Sequence, residues 1–331
     1  MALFCLALSG FVTEAYAQAV KGTADLTEGY VQSWNLALQR SLPLQFVFEV
    51  AYVGNQAVKL QTYRDINASR TLGSGAAGQP LFQLFRRTTA VSGYQPTNSH
   101  YHSLQAKFDR RLAPNFLLTT SYTYSRQIDI DFYQQINLSL NRARGGSDRT
   151  HVFVQSYIYE FPFGKGQRWV RSGPGSWILG GWQFTGIFTS MTGLPLNITG
   201  GGVLNTPGSS NRPNISGKPE IFGRVGPGQK WLDVSKFSDP GIGVLGNTGR
   251  NILTGPGFVN LDFSVFRRFT ITERFRLELR GESFNLSNTP HFGNPNMGFG
   301  SASFGEISGA DNDFTDPASR RQIQLGLKLT F

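Results

Sequence analysis

Residues 322–331 read QIQLGLKLTF, and every second position is apolar: Ile323, Leu325, Leu327, Leu329 and Phe331 share one face. Gln322, Gln324, Gly326, Lys328 and Thr330 share the other. A period of two marks a β-strand with one apolar side, because successive side chains of a strand point to opposite faces. The alternation recurs upstream in Trp34, Leu36 and Leu38, in Phe46, Phe48, Val50 and Tyr52, in Leu104, Ala106 and Phe108, and in Phe116, Leu118, Tyr122 and Tyr124. Residues 151–161 are blurred, with Val152, Val154 and Ile158 opposite Phe153, Tyr157, Tyr159 and Phe161. Trp182, Phe184 and Phe188 follow, then Val259, Leu261, Phe263 and Val265, then Phe275, Leu277 and Leu279. The pattern predicts nine strands of about 9–12 residues, the length a tilted strand needs to cross a bilayer.

The connections carry as much information as the strands. Short turns are expected at 41–44, 112–115 and 270–273, with a moderate one at 162–177. Between them lie long polar loops rich in Gly, Pro and Asn, near 55–98, 128–149, 191–256 and 286–319. Short and long connections therefore alternate strictly, which a soluble sandwich has no reason to do. A membrane barrel does have a reason, with tight periplasmic turns at one rim and long extracellular loops at the other. The expected fold class is all-β: an antiparallel up-and-down transmembrane β-barrel, of which about nine strands are present.

Two sets of side chains fit that geometry. Along 274–284, Arg276, Glu278, Arg280 and Glu282 lie opposite Phe275, Leu277 and Leu279. A ladder of alternating charge is costly against lipid and natural in a watery lumen, so these four are the candidate lumen-facing residues. Trp34, Trp177 and Trp182 fall near strand ends and are candidate interfacial aromatics, whose amphipathic rings settle at headgroup level. Ordinary strand aromatics would look similar, since aromatic residues favour sheets anyway.

Composition narrows the classes further. Charged residues are only 16% and aromatics 13%, with 27 Phe among them, yet the mean hydropathy is −0.23. No run approaches the roughly 20 apolar residues of a membrane-spanning helix, and the aromatic content argues against disorder. A single Cys, Cys5, excludes a disulfide scaffold and a multi-Cys metal site. The net charge of +10 is scattered over loops and strand starts with no basic helix or run, so no nucleic-acid partner is expected.

Candidate chemistry is sparse. Gly241, Gly243 and Gly246 spell G-x-G-x-x-G, but Ser238-Asp239-Pro240 precedes and Asn247-Thr248-Gly249-Arg250 follows, so no helix begins there to hold a dinucleotide. His100 and His102 share a strand face without a third ligand nearby. Asp129 and Asp131 form a loop pair, and Asp311, Asn312 and Asp313 lack the rest of a calcium loop. His151 and His291 lie in separate segments with no triad around them. Neither catalysis nor a cofactor or metal is expected.

The end of the chain carries a further signal. Gln324, Gly326, Leu329 and Phe331 have the polar, glycine, apolar, terminal-aromatic spacing that resembles the barrel-assembly signal of bacterial outer-membrane proteins. Longer stretches do more. YVQSWNLALQRSLP (30–43), FEVAYVGN (48–55), SDRTHVFVQSYIYEFPFGKG (147–166), LGGWQFTGIFTSMTGLPL (179–196) and GNTGRNILTGPGFVNLDFSVFRRFTITERFRLELRGESFNLSNTPHFGNPN (246–296) resemble the Oar-like TonB-dependent transporter β-barrels. The resemblance runs over about residues 30–331. It implies an outer-membrane barrel of about 22 strands with a plugged lumen, energised from the inner membrane through TonB. The partners it implies are outer-membrane lipid, the barrel-assembly machinery, an unidentified extracellular ligand, and the TonB complex acting only through a plug domain.

This sequence departs from the family pattern. No plug, TonB box or N-terminal β-sandwich precedes the first strand. Nine strands leave two edges whose unpaired backbone groups would each cost several kcal/mol in lipid. Counted back from a periplasmic Phe331, the first strand runs inward from outside. The expectation is therefore a fragment lacking the plug: the C-terminal barrel segment of a receptor for ligand uptake over 30–331, behind a leader or remnant plus linker over 1–29. Residues 1–17, MALFCLALSGFVTEAYA, offer a short apolar stretch and Ala15-Tyr16-Ala17 before Gln18, as a signal peptide would. No Lys or Arg precedes that stretch, Glu14 sits near the site, and Cys5 lacks the small residue that precedes a lipoprotein cysteine. The alternatives are an outer-membrane-anchored surface adhesion or binding protein, with the loops as its working part, and a soluble glycan-binding sandwich.

Overall fold

Alternating aromatic and β-branched residues, separated by connections rich in Gly, Pro and Asn, pair into one meandering sheet. The computed structural model describes residues 28–110, 115–272, 274–310 and 320–331. Its wall consists of β1 (Tyr30–Leu42), β2 (Phe46–Leu60), β3 (Thr97–Arg110), β4 (Phe116–Ile130), β5 (His151–Glu160), β6 (Trp182–Met191), β7 (Phe258–Thr270), β8 (Arg276–Phe284) and β9 (Gln322–Thr330). Each pairs antiparallel with its neighbour in sequence. A short extra strand, Arg142–Arg144, pairs with Ile128–Ile130 at the loop-side end of β4. All nine expected strands are present.

Register separates the two faces across the whole sheet. Leu36 lies opposite Tyr52, Tyr52 opposite Leu104, and Leu104 opposite Tyr124. Further along, Phe188 meets Leu261 and Leu279 meets Leu327. On the other face Ala51 faces Gln105, Gln105 faces Thr123, Thr189 faces Asn260 and Glu278 faces Lys328. In the blurred segment, β5, the register assigns Phe153, Tyr157 and Tyr159 to the apolar face and Val152, Val154 and Ile158 to the polar one. A slip of one residue would exchange the faces of a strand, so two unlike faces fix the register.

Several strands run longer than the alternation indicates. β2 and β4 have 15 residues and β3 has 14, reaching into the expected loops 55–98 and 128–149. At these ends Gly54, Gln56, His100, His102 and Arg126 occupy positions of the apolar face. Backbone pairing continues after the hydrophobic signal has stopped, which is what a strand does once it rises out of an apolar medium. The connection after β5 holds a short helix, α1 (Gly173–Leu179), and the first long loop holds another, Pro80–Phe85. The turn after β1 is a single tight one at Pro43–Gln45, with Leu44 and Gln45 in the left-handed region. Most of the turn expected at 112–115, residue 273 of the turn at 270–273, the leader with Cys5, and the Asp311–Asp313 run lie outside the described residues.

The sheet does not close: among the described residues the outer edges of β1 and β9 have no strand partner. Its hydrophobic core is not in the wall either. Leu196, Ile198, Trp231, Leu232, Phe237, Leu253, Met297, Phe304 and Ile307 form one buried cluster, drawn entirely from the two loops that follow β6 and β8. Two of the four long connections expected to be polar loops thus fold together into a cap. Among the described residues no helix is long and apolar enough to cross a membrane.

Candidate functional site

The polar face carries an ion ladder where β7, β8 and β9 lie side by side. Arg268 of β7 reaches Glu278 at 2.9 Å, and Arg280 reaches Glu278 at 3.1 Å and Glu282 at 3.8 Å. Gln324 of β9 donates to Glu282, and Arg280 lies over the Phe266 ring, 5.0 Å from its centroid. Arg276 opposes Thr330 at the turn-side end of the same face. All four charges singled out in the sequence are therefore on one side, opposite Leu277 and Leu279. Gly326 sits beside Arg280, where an added Cβ would meet the arginine's own Cβ at 3.6 Å.

The remaining members of the terminal motif divide by face. Gln324 and Gly326 lie on the polar side, Leu329 opposes Leu277 on the apolar side, and Phe331 is 89% exposed beyond the last pair. The tryptophans divide by end. Trp182 begins β6 and donates from Nε1 to the Ile178 carbonyl of α1, and Trp177 is exposed on that helix. The Arg267 guanidinium lies 5.5, 5.0 and 4.3 Å from the rings of Trp177, Trp182 and Phe269. Trp34 is at the other, loop-side end, lying over Gly54 and 6.0 Å from the His102 ring. His102 and His151 each stand beside a tyrosine of the neighbouring strand. Each bonds a tyrosine hydroxyl through Nδ1, Tyr52 and Tyr122 respectively, at 2.7 Å. Among the described residues no cluster of three His, Cys, Asp or Glu could hold a metal ion.

Beyond the strands, the four long loops are tied into one body. The first loop donates from Ser69 N to Pro207 O at 2.8 Å and from Gly75 N to Asn205 O at 2.7 Å. The second receives Ser210 N at Tyr133 O, and its Arg144 bonds Thr254 Oγ1 at 2.9 Å. Arg250 of the third loop forms an ion pair with Asp129 near the loop-side end of β4. Lys230 joins the third loop to the fourth through Glu306 at 2.9 Å and the Ala302 carbonyl at 3.0 Å. Lys230 and the Gly228 N–H hold the Glu306 carboxyl below the usual carboxylate range.

Cavities lie among these loops. One of about 350 Å³ is lined by Tyr133, Thr199, Gly200–Gly202 and Arg212. Arg212 donates to the Ile198 carbonyl and stacks on Tyr133 at 4.1 Å, and burial pulls its pKa below the ordinary arginine value. A second, of about 610 Å³, lies between His151 and Phe153 below and Ile221 and Trp231 above. A third is lined by four arginines. Alternation does not bring these residues together: strand ends and separate loops contribute them, and no one period links them. The Gly241 to Gly246 run is a turn, with Gly241 and Gly243 at positive φ and no helix after it.

A family model described as "Outer membrane beta barrel domain" matches residues 7–324. No curated protein matches the chain. Solved structures do. The pyoverdine outer membrane receptor FpvA from Pseudomonas aeruginosa PAO1 is similar at 11% identity and a TM-score of 0.48, covering 92% of this chain and 30% of the receptor. The outer membrane transporter YddB from Escherichia coli is similar at 10% and 0.48, covering 93% and 33%. The ferric-catecholate import receptor Fiu from E. coli K12 is similar at 10% and 0.46, covering 96% and 30%. The chain spans a third or less of the length of each.

Proposed function

The chain belongs to the outer membrane beta barrel domain family, and from that premise we propose that it forms part of the wall, and the outer loops, of a larger receptor that takes up an extracellular ligand. The apolar face meets outer-membrane lipid, and the face with Arg276, Glu278, Arg280 and Glu282 lines the lumen. Trp177 and Trp182 mark the periplasmic interface and Trp34 the outer one. On β2, Phe46 at the turn-side end and Gly54 opposite Trp34 are eight residue steps apart, about 27 Å along a strand. At a tilt of about 40° that is roughly 20 Å of height, close to the apolar band of such barrels. Gln324, Gly326, Leu329 and Phe331 present the signal to the barrel-assembly machinery.

One observation carries this reading: nine strands keep one apolar and one polar face in register while short and long connections alternate, and the long ones join into a single cap. Strand direction supports a larger wall. In an antiparallel series of nine, β1 and β9 run the same way, so they cannot pair with each other antiparallel. An odd number of further strands between them closes the barrel to an even count. The resemblance to Oar-like transporters supports TonB-driven uptake, with TonB acting on a plug rather than on these strands.

The ordered cap favours a second reading, a surface-binding protein that the barrel merely anchors. Deleting 191–256 and 286–319 from the intact gene product separates the two. A receptor loses depletion of its solute from the medium, read by mass spectrometry, and keeps surface attachment. An adhesin loses attachment. Recovery of the protein in the soluble fraction without detergent would overturn both.

A further inference from the structure

The apolar face of β4 changes character above its aromatic residues. Tyr122 and Tyr124 are followed on that face by Arg126 and Ile128, each two-residue step rising about 6.6 Å. The short strand beside β4 adds Arg144 opposite Ile128 and Arg142 opposite Ile130. With Gly249–Ile252 of the third loop, Arg126, Ile128, Arg142 and Arg144 line an open cavity of about 590 Å³. Four arginines meet in it: Arg126, Arg142, Arg144 and Arg250. Asp148 pairs with Arg144 at 3.0 Å, and Asp129 pairs with Arg250. Among the described residues no carboxylate pairs with Arg126 or Arg142. The Arg250 side chain is only 5% exposed, and its Nε has no hydrogen-bond acceptor.

A cavity with two uncompensated guanidinium groups and a buried donor left over is built for an anion. Planar guanidinium forks match the oxygens of a phosphate and bind them in pairs. The location selects the source. Arg126, Ile128, Arg142 and Arg144 of its lining hold positions of the face assigned to lipid, one step above Tyr122, Tyr124 and His151, where long arginine stems can run along apolar surface and end among headgroups. We propose that this cavity binds the phosphate of a phosphorylated lipid in the outer leaflet, with the acyl chains lying on the apolar face below Ile128. The inference rests on that face meeting lipid; it does not depend on ligand uptake.

The test uses the intact gene product in nanodiscs and in non-ionic detergent. Bisphosphorylated lipid A, its enzymatically dephosphorylated form and inorganic phosphate serve as probes. Binding of lipid A is expected to exceed that of the dephosphorylated form by about tenfold or more. R126Q/R142Q should remove that difference while keeping heat-modifiable gel mobility, the mark of a folded barrel. K218Q/R224Q removes two charges elsewhere in the loops and should leave it intact. Equal binding of both lipids, equal loss in the two double variants, or full displacement by millimolar inorganic phosphate would each overturn the proposal, the last by making the site one for a soluble anion. A Tyr122→Trp variant quenched by bromine-labelled acyl chains reports the face separately. Quenching without a phosphate effect sinks only the site, whereas no quenching sinks the face assignment on which it rests.

Discussion

Gly54 shows how far one position can constrain a wall of side chains. The Trp34 ring lies over it, and a Cβ there would come within 2.2 Å of the ring. Gly54→Val should therefore push Trp34 off the strand at an overpacking cost of about 1–3 kcal/mol, visible as a shift in tryptophan emission. Unchanged emission and stability would contradict the packing. Glu306 gives a pH-dependent counterpart. Its folded pKa is depressed by Lys230 and the Gly228 N–H, so its contribution is complete above the ordinary carboxylate pKa and is lost as pH falls through the folded value. Acidification through and below the carboxylate range should loosen the cap around Trp231, and Glu306→Gln should flatten that dependence. A cap whose fluorescence transition has the same acid profile in the variant would show that another group is responsible.

At the scale of the element, strand and cap answer to different physics. Phe263 and Ser264 are neighbours near the middle of β7 on opposite faces. Arginine at 263 should cost about 2–4 kcal/mol in the bilayer, whereas arginine at 264 should be nearly neutral. Unfolding from lipid vesicles measures both, and equal costs would refute the face assignment. Leu232 is fully buried in the cap, so Leu232→Ala should cost about 2–5 kcal/mol there while heat-modifiable mobility of the barrel persists. Loss of both together would mean that cap and wall unfold as one unit. The difference in legibility follows from this. Strands such as β9 were readable because lipid imposes a period of two on every residue that touches it. The cap was not, because Leu196, Trp231 and Ile307 meet across two separate loops and no local period links them. For the same reason the ion ladder on β8 could be read from sequence, while the arginine cavity, assembled from β4, its short neighbour and a distant loop, could not.

For the whole molecule the open edges decide the assembly. Two copies inserted the same way would bring together edges that run in one direction, so direct pairing of β1 with β9, within a chain or between copies, would be parallel. With Cys5→Ser as background, cysteines at Ala37 on β1 and Lys328 on β9 should form no disulfide under oxidation, and a disulfide there would require parallel closure. Strand count and the alternation of connections were legible at this scale because each is a property of sequence order. The partner of each edge was not, since an edge strand and an interior strand of a barrel share the same two-sided pattern.

The buried core of the cap has one more consequence, for how the protein assembles. Its two contributing loops leave the wall at β6, β7, β8 and β9, so Ile307 of one packs in the same core as Leu232 of the other across strands that stand in that order. A strand that slips by one residue displaces its loop and leaves Trp231 and its neighbours wet. The cap thus depends on the pairing of the wall: correctly zipped strands should seal their loops, and mispaired ones should expose apolar segments to added protease.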